Sequence, residues 1–290
     1  MAIKNIAVIG AGTMGQGIAE MLASKGLDVF VADLSEEKLN ESFASIEQNL
    51  DHQLSRWALT VQEKKLILSK LHKTLDYTSL ADCDLVIECV IEQLEAKREV
   101  FRQLDTILRP DAIIASNTAS LSLTELGNGL RHPERTIGLH FLYPAGKINL
   151  VEIVRGLRTS DDAFVRVRRF VQETLDKTSV QVYESPGYVT TRLICVFINE
   201  ALHTLSEGVA TAEDIDTAMR MGYDFHYGPL EMADRFGLDS VLASMESLFR
   251  EYGDLKYRPS SMLKKMVRAG HLGTKTGEGF FRYNERGERL

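Results

Sequence analysis

The sequence predicts an α/β protein: a doubly wound parallel sheet over residues 1–185, followed by an all-α C-terminal domain over 186–290. Three observations carry this expectation. The β-branched runs of the first half are mostly continuous apolar stretches, as strands covered on both faces require. Polar segments of helical period separate the first several of them, which is the alternation of a doubly wound sheet. At Glu184–Gly187 (ESPG) the texture changes, and helical patterns with hardly any strand signal follow.

The strand candidates are Ile6–Ile9, Val29–Ala32, Leu85–Val90, Ala112–Ala115, Thr136–Leu139 and Val151–Val154. Helices are expected at Glu36–Leu54, Val61–Leu71 and Leu94–Leu108. Beyond the boundary, Tyr188–Gly208 reads as one long, mostly apolar helix. TAEDIDTAM opens another, with Thr211 as N-cap and Asp214 near the helix's positive end. Asp239–Arg250 and Ser260–Ala269 complete the helical part.

Composition narrows the function. Hydrophobic residues at 44% and charged residues at 26% give a globular chain with ample core, and the net charge of −7 argues against a nucleic-acid or anionic-membrane surface. The start, MAIKNIAVIGAG, passes straight into a strand run with no apolar leader, and Leu193–Leu205 is too short and too polar to span a bilayer. Cys83, Cys89 and Cys195 lack CxxC spacing. They read as free thiols of a cytoplasmic protein, with no metal site expected.

IAVIGAGTMGQGIAE places Gly10, Gly12 and Gly15 as G-x-G-x-x-G between a strand and a helix, with Thr13 and Met14 inside the loop. Gly10 allows the tight turn, Gly12 the approach of a pyrophosphate, and Gly15 close helix–strand packing. This is the Rossmann-type arrangement. VFVAD ends the next strand on Asp33, whose carboxylate can accept from both ribose hydroxyls and would repel a 2′-phosphate. NAD is therefore expected over NADP, with FAD the competitor for the loop itself.

In IGLHFLYPAGKINLVEIV, His140 ends an apolar run and Glu152 follows twelve residues later. Oxidising an alcohol with NAD requires removal of a hydroxyl proton, for which histidine titrates usefully, and a carboxylate would fix its tautomer. Spacing alone leaves open a structural histidine and an unrelated glutamate.

Over nearly its whole length the chain resembles the short-chain L-3-hydroxyacyl-CoA dehydrogenases, the 3-hydroxybutyryl-CoA dehydrogenase group. The resemblance runs through IAVIGAGTMGQGIA, LADCDLVIECV, IIASNTASLSLTEL, IGLHFLYP, LVEIVRG, SPGYVTTRL, EDIDTAMRMG, GPLEMADRFGLD and GTKTGEGFFRY, in one order. It implies that His140 is the general base and Glu152 its carboxylate partner. It also implies that Glu92 and Lys97 lie near the nicotinamide ribose and that Asn117 sits in the loop over the nicotinamide. Without the family, Glu92 and Lys97 read equally as a solvated helix start. The resemblance further points to Arg56, at the end of the polar helix Glu47–Arg56, for the CoA arm, and to a homodimer formed through 186–290.

Three departures fall near the expected substrate. The family's S-N-T-S-S reads S-N-T-A-S, placing Ala119 at a hydroxyl position. The asparagine of F-F-N-P is Tyr143, and that of S-P-G-F-x-x-N-R is Thr191. Nearby, the family's lysine aligns with Asn149, while Lys147 lies two residues earlier. These residues admit either replacement hydroxyls for the same substrate or an altered pocket. The expected activity is NAD-dependent oxidation of a 3-hydroxyacyl thioester. The alternatives are the same chemistry on an acyl-carrier-bound or free hydroxy acid, and an NAD-binding relative that has lost catalysis.

Overall fold

The computed structural model describes residues 3–290, which form two compact units divided between Glu184 and Ser185. The first is built on eight strands: β1 Ile6–Ile9, β2 Val29–Ala32, β3 Leu71–Thr74, β4 Leu85–Glu88, β5 Ile113–Ser116, β6 Thr136–Phe141, β7 Leu150–Arg155 and β8 Thr178–Tyr183. Their order is β3-β2-β1-β4-β5-β6-β7-β8, a doubly wound sheet that reverses direction between β1 and β4. β1 to β6 are mutually parallel, β7 runs antiparallel to β6, and β8 is parallel to β7. The wholly parallel sheet expected from sequence thus holds for six strands. The short β6–β7 connection forces the reversal, because a parallel crossover needs a dozen or more residues.

Helices α1 Thr13–Ser24, α2 Glu36–Ser55, α3 Val61–Ser69, α4 Leu94–Ile107, α5 Leu123–Leu126 and α6 Asp161–Arg169 belong to this unit. Ser35 caps α2 by accepting from the Lys38 N–H, and Thr60 with Glu63 forms a capping box on α3. The α3 helix stops at Ser69, two residues short of the Val61–Leu71 expectation. Leu71 pairs in register with Val29 and begins the edge strand β3, so sheet pairing overrides the helical pattern. The core packs Ile6, Val8, Ile18, Leu22, Val31, Leu85, Ile87 and Phe141, all at most 2% exposed.

The second unit comprises α7 Thr190–Ser206, α8 Ala212–Tyr223, α9 Pro229–Phe236, α10 Leu238–Tyr252 and α11 Ser261–Arg268. Thr211 caps α8, accepting from the Asp214 N–H. α9 was not foreseen; its proline occupies the first helical turn, where no N–H is missed. Two of the family stretches meet here. Asp234 on α9 is fully buried and accepts from the Phe280 and Phe281 N–H groups and the Tyr283 hydroxyl, at 2.9, 2.9 and 3.0 Å. A Cβ at Gly279 would collide with the Asp234 carboxylate, which is why a glycine stands in the GTKTGEGFFRY stretch. No helix among the described residues is long and apolar enough to cross a membrane.

Candidate active site

At the carboxyl end of β1, Gly10 takes φ +99°, and a Cβ there would lie 2.7 Å from the Cys89 carbonyl. A Cβ at Gly15 would strike the Gly10 carbonyl oxygen, so α1 can only start this close to β1 with glycine at that place. Gly12 differs: a Cβ there would meet nothing within 4 Å. It is the N-cap of α1, yet no side chain caps that helix and no acidic residue stands in its first turn. Uncapped N–H groups beside open space are what a pyrophosphate requires. Thr13 is exposed and Met14 half-buried in the same turn. Asp33, at the end of β2, is held against the loop, Oδ2 accepting from the Ala11 N–H at 2.8 Å and Oδ1 from the Leu34 N–H at 2.8 Å. The loop, the open helix end and the carboxylate fit a dinucleotide.

The open space at Gly12 gives a clean test. Gly12 has φ −72° and ψ −175°, a conformation any residue adopts. Gly12→Val is expected to leave the melting temperature unchanged while weakening NADH binding about tenfold to a hundredfold, since the side chain fills space the ligand needs. A fluorescence titration of NADH that is unmoved by the valine would show that this loop does not hold the phosphates.

His140 and Glu152 are directly opposed on the β6–β7 ladder, and Nδ1 of His140 lies 2.6 Å from Oε2 of Glu152. Their relative exposures are 6% and 0%. Register explains the contact: opposed residues of an antiparallel pair point to one face with Cβ atoms about 5 Å apart. Next to them, the Asn117 side-chain oxygen accepts from the Phe141 N–H at 2.9 Å, tying the loop after β5 to the histidine strand.

Sequence reasoning missed Glu88. It ends β4 fully buried, with Oε1 accepting from Lys97 Nζ at 2.7 Å and from the Val90 N–H at 2.6 Å, and Oε2 from the Ser116 hydroxyl at 2.7 Å. Its backbone carbonyl accepts from the Asn117 N–H at 2.8 Å. The signal was present in LVIECV: a carboxylate inside an apolar run must be buried, and a buried charge needs a partner. Lys97 is that partner. At 1% exposure it is no solvated helix start, and its ammonium also meets the Val90 carbonyl at 3.1 Å and Glu92 Oε2 at 3.3 Å.

Glu92 in turn gathers the loop after β5. Its Oε1 accepts from the Thr118 hydroxyl, from the Ala119 and Ser120 N–H groups at 3.1 and 3.2 Å, and from the Ser120 hydroxyl at 3.0 Å. Burial pushes the Glu88 carboxyl up, outweighing the pull of Lys97. For Lys97 burial works downward, but the Glu88 and Glu92 carboxylates win and hold it above the ordinary lysine value. Glu92 is lowered: burial opposes ionisation, and Lys97 with the Thr118 and Ser120 donors overcomes it. A continuous set of contacts thus links Glu88, Lys97, Glu92, residues 117–120, His140 and Glu152.

Of the substrate-side candidates, Ala119 is half-buried in this loop, and the neighbouring Ser120 hydroxyl is engaged by Glu92. Tyr143 is 53% exposed beyond β6. Asn149 and Lys147 are exposed. Thr191 is half-buried in the first turn of α7, in the other unit, and Arg56 is exposed at the C-cap of α2. No cluster of His, Cys, Asp or Glu among the described residues could hold a metal ion.

A doubly wound sheet with a glycine loop, a carboxylate at the end of β2 and a buried His–Glu pair in the same unit defines an NAD-dependent oxidoreductase of the Rossmann class. The profile of the 3-hydroxyacyl-CoA dehydrogenase NAD-binding domain matches residues 5–185, and that of the C-terminal domain of the same enzymes matches 187–283. The chain belongs to the 3-hydroxyacyl-CoA dehydrogenase family. It is 43% identical over 281 residues to the 3-hydroxybutyryl-CoA dehydrogenase of Bradyrhizobium diazoefficiens, covering 97% of this chain and 96% of that one. Among solved structures, FadB2 of M. tuberculosis superposes with a TM-score of 0.95 at 36% identity, over 98% of this chain and all of the other. The (S)-3-hydroxybutyryl-CoA dehydrogenase of Ralstonia eutropha gives 0.89 at 40%, with the same coverage.

Proposed function

We propose that the protein oxidises short-chain L-3-hydroxyacyl-CoA to the 3-ketoacyl thioester, with His140 as general base. The observation that carries this is the buried 2.6 Å contact between His140 Nδ1 and Glu152. A carboxylate on Nδ1 keeps the proton there, so Nε2 carries the lone pair and can take the substrate's hydroxyl proton. Glu152 then stabilises the imidazolium that forms. Bound NAD⁺ supplies the acceptor for the hydride leaving C3. Glu92, braced by Lys97, holds residues 118–120, and Asn117 fixes that loop to the strand of His140. Ala119 contributes no hydroxyl at its position in the loop after β5, and the proton-handling pair does not depend on it.

The Bradyrhizobium diazoefficiens and Ralstonia eutropha relatives, called 3-hydroxybutyryl-CoA dehydrogenases, support the short acyl chain. Exposed Leu193 on α7 and Met221 and Tyr223 on α8 suit a homodimer through residues 186–290, and three free thiols suit the cytoplasm. NADH formation is expected with (S)-3-hydroxybutyryl-CoA and absent with the R enantiomer. Reduction of NAD⁺ by a carrier-free 3-hydroxy acid, with none by any 3-hydroxyacyl-CoA, would sink this reading in favour of the altered-carrier alternative.

A further inference from the structure

A cavity of about 290 Å³ opens in the first unit, at the far end of α1 from the glycine loop. Its wall includes Met21 of α1, Lys25 after the last turn of that helix, Lys147 and Asn149 of the β6–β7 connection, and Asp176 and Lys177 just before β8. Backbone contacts hold these segments in place. The Lys147 N–H donates to the Pro144 carbonyl at 2.9 Å and turns the connection, while the Thr178 N–H donates to the Asn149 carbonyl at 3.2 Å and joins the starts of β7 and β8. Asp176 takes φ +54° at the turn into β8, and Lys177 beside it is only 7% exposed.

Lys25 by itself is an ordinary cation at the negative end of a helix, and Lys147 an ordinary exposed lysine. Lys177 is different. Its Nζ donates to the Ile148 carbonyl at 2.6 Å, and its other two protons have no acceptor among the described residues. None of the three ammonium groups has a carboxylate within 4.0 Å among the described residues, that of Asp176 included. Burial, and then the charge of Lys25, hold Lys177 below the ordinary lysine value. A buried ammonium calls for a carboxylate, as Lys97 has Glu88 in the same unit. Lys177 has instead a cavity with two further lysines in its wall.

We infer that Lys177, Lys25 and Lys147 form a binding site for a small anion that carries a phosphate group. Three positive charges stand against the one negative charge of Asp176, in a chain whose net charge is −7, so the excess is local. Ammonium groups on flexible stems act as point charges, which suits a multiply charged phosphate better than a planar carboxylate. The site is separate from the cofactor loop, because the 12 residues of α1 put about 18 Å between Gly12 and Lys25. It also stands whether or not the protein acts on a CoA thioester.

Inorganic pyrophosphate is the probe, titrated calorimetrically into the full chain saturated with NADH and CoA, so that the other phosphate contacts are already filled. Binding of a single ion per chain is expected. Lys177→Met should weaken it about tenfold to a hundredfold, the worth of one charged hydrogen bond, and the pair Lys25→Gln and Lys147→Gln should weaken it as much. Lys177→Met removes a buried charge with no acidic partner, so it should melt at the wild-type temperature or above it, and its lost binding is then not lost folding. The glutamine pair alters exposed side chains alone and tests the site independently of the buried lysine. No binding to the saturated wild type would overturn the site, as would equal affinity in the wild type and both lysine variants. Citrate binding more tightly than pyrophosphate would overturn the phosphate assignment.

Discussion

His140→Ala is expected to lower kcat by about 10²–10⁴-fold, the contribution of a positioned general base, while leaving the affinity for NADH near that of the wild type. The substitution also removes a contact of a fully buried carboxylate, and a variant that merely unfolds would imitate the result. Glu152→Gln separates the two effects. Its amide has the volume of the carboxylate and can donate to Nδ1, so the ring's proton moves to Nε2. A histidine with Nε2 protonated cannot accept the substrate's proton. Glu152→Gln should therefore fold normally, bind NADH normally and lose a comparable part of kcat, as carboxylate-to-amide exchange does in other His–acid pairs. Undiminished turnover in both variants, measured as NADH formed from (S)-3-hydroxybutyryl-CoA, would remove His140 from the mechanism.

That pair also shows what the sequence could carry. Twelve residues between His140 and Glu152 leave room for a hairpin in which the two oppose each other, but the period of two runs only within a strand and does not carry across the connection. The spacing permits the contact without requiring it, because the connection after Phe141 sets the register, and Pro144 and Gly146 in it mark a turn without fixing which residues oppose. The structure supplies the rung, His140 opposite Glu152. The glycine loop was different. Gly10, Gly12 and Gly15 each answer a local steric demand within one strand–turn–helix unit, so their roles could be read before any tertiary contact was known. Strand β3 lay beyond sequence reasoning for a physical reason: LHKT at the sheet edge has one buried residue, Leu71, and its identity comes from pairing with β2. Resemblance reached Glu92 and Lys97 but not Glu88, whose importance appears only when β4, α4 and β5 converge on it.

Glu88 and Lys97 make the second large effect. Removing one member of a buried ion pair leaves the other uncompensated, typically at a cost of about 3–5 kcal/mol. Glu88→Ala is expected to fall in that range by urea denaturation, since it strands Lys97 and also unsatisfies the Ser116 hydroxyl and the Val90 N–H. An apolar replacement of the pair, Glu88→Leu with Lys97→Met, removes both charges and should recover much of the stability. It should not recover the site. Without the ammonium, Glu92 loses the cation that holds it ionised against partial burial, and with it the grip on residues 118–120. The double variant is therefore expected to fold yet show a higher KM for NAD⁺ than the wild type. Should its kinetics match the wild type once folding is restored, the pair serves only the core, and the loop after β5 must be ordered by something other than Glu92. Full stability in Glu88→Ala alone would mean that the carboxylate is not the anchor its three contacts imply. Stability and cofactor affinity converge on these two side chains because β4 ends where the sheet opens toward the glycine loop. A charge buried there must be matched by the protein, and the lysine that matches it also orders the loop beside His140.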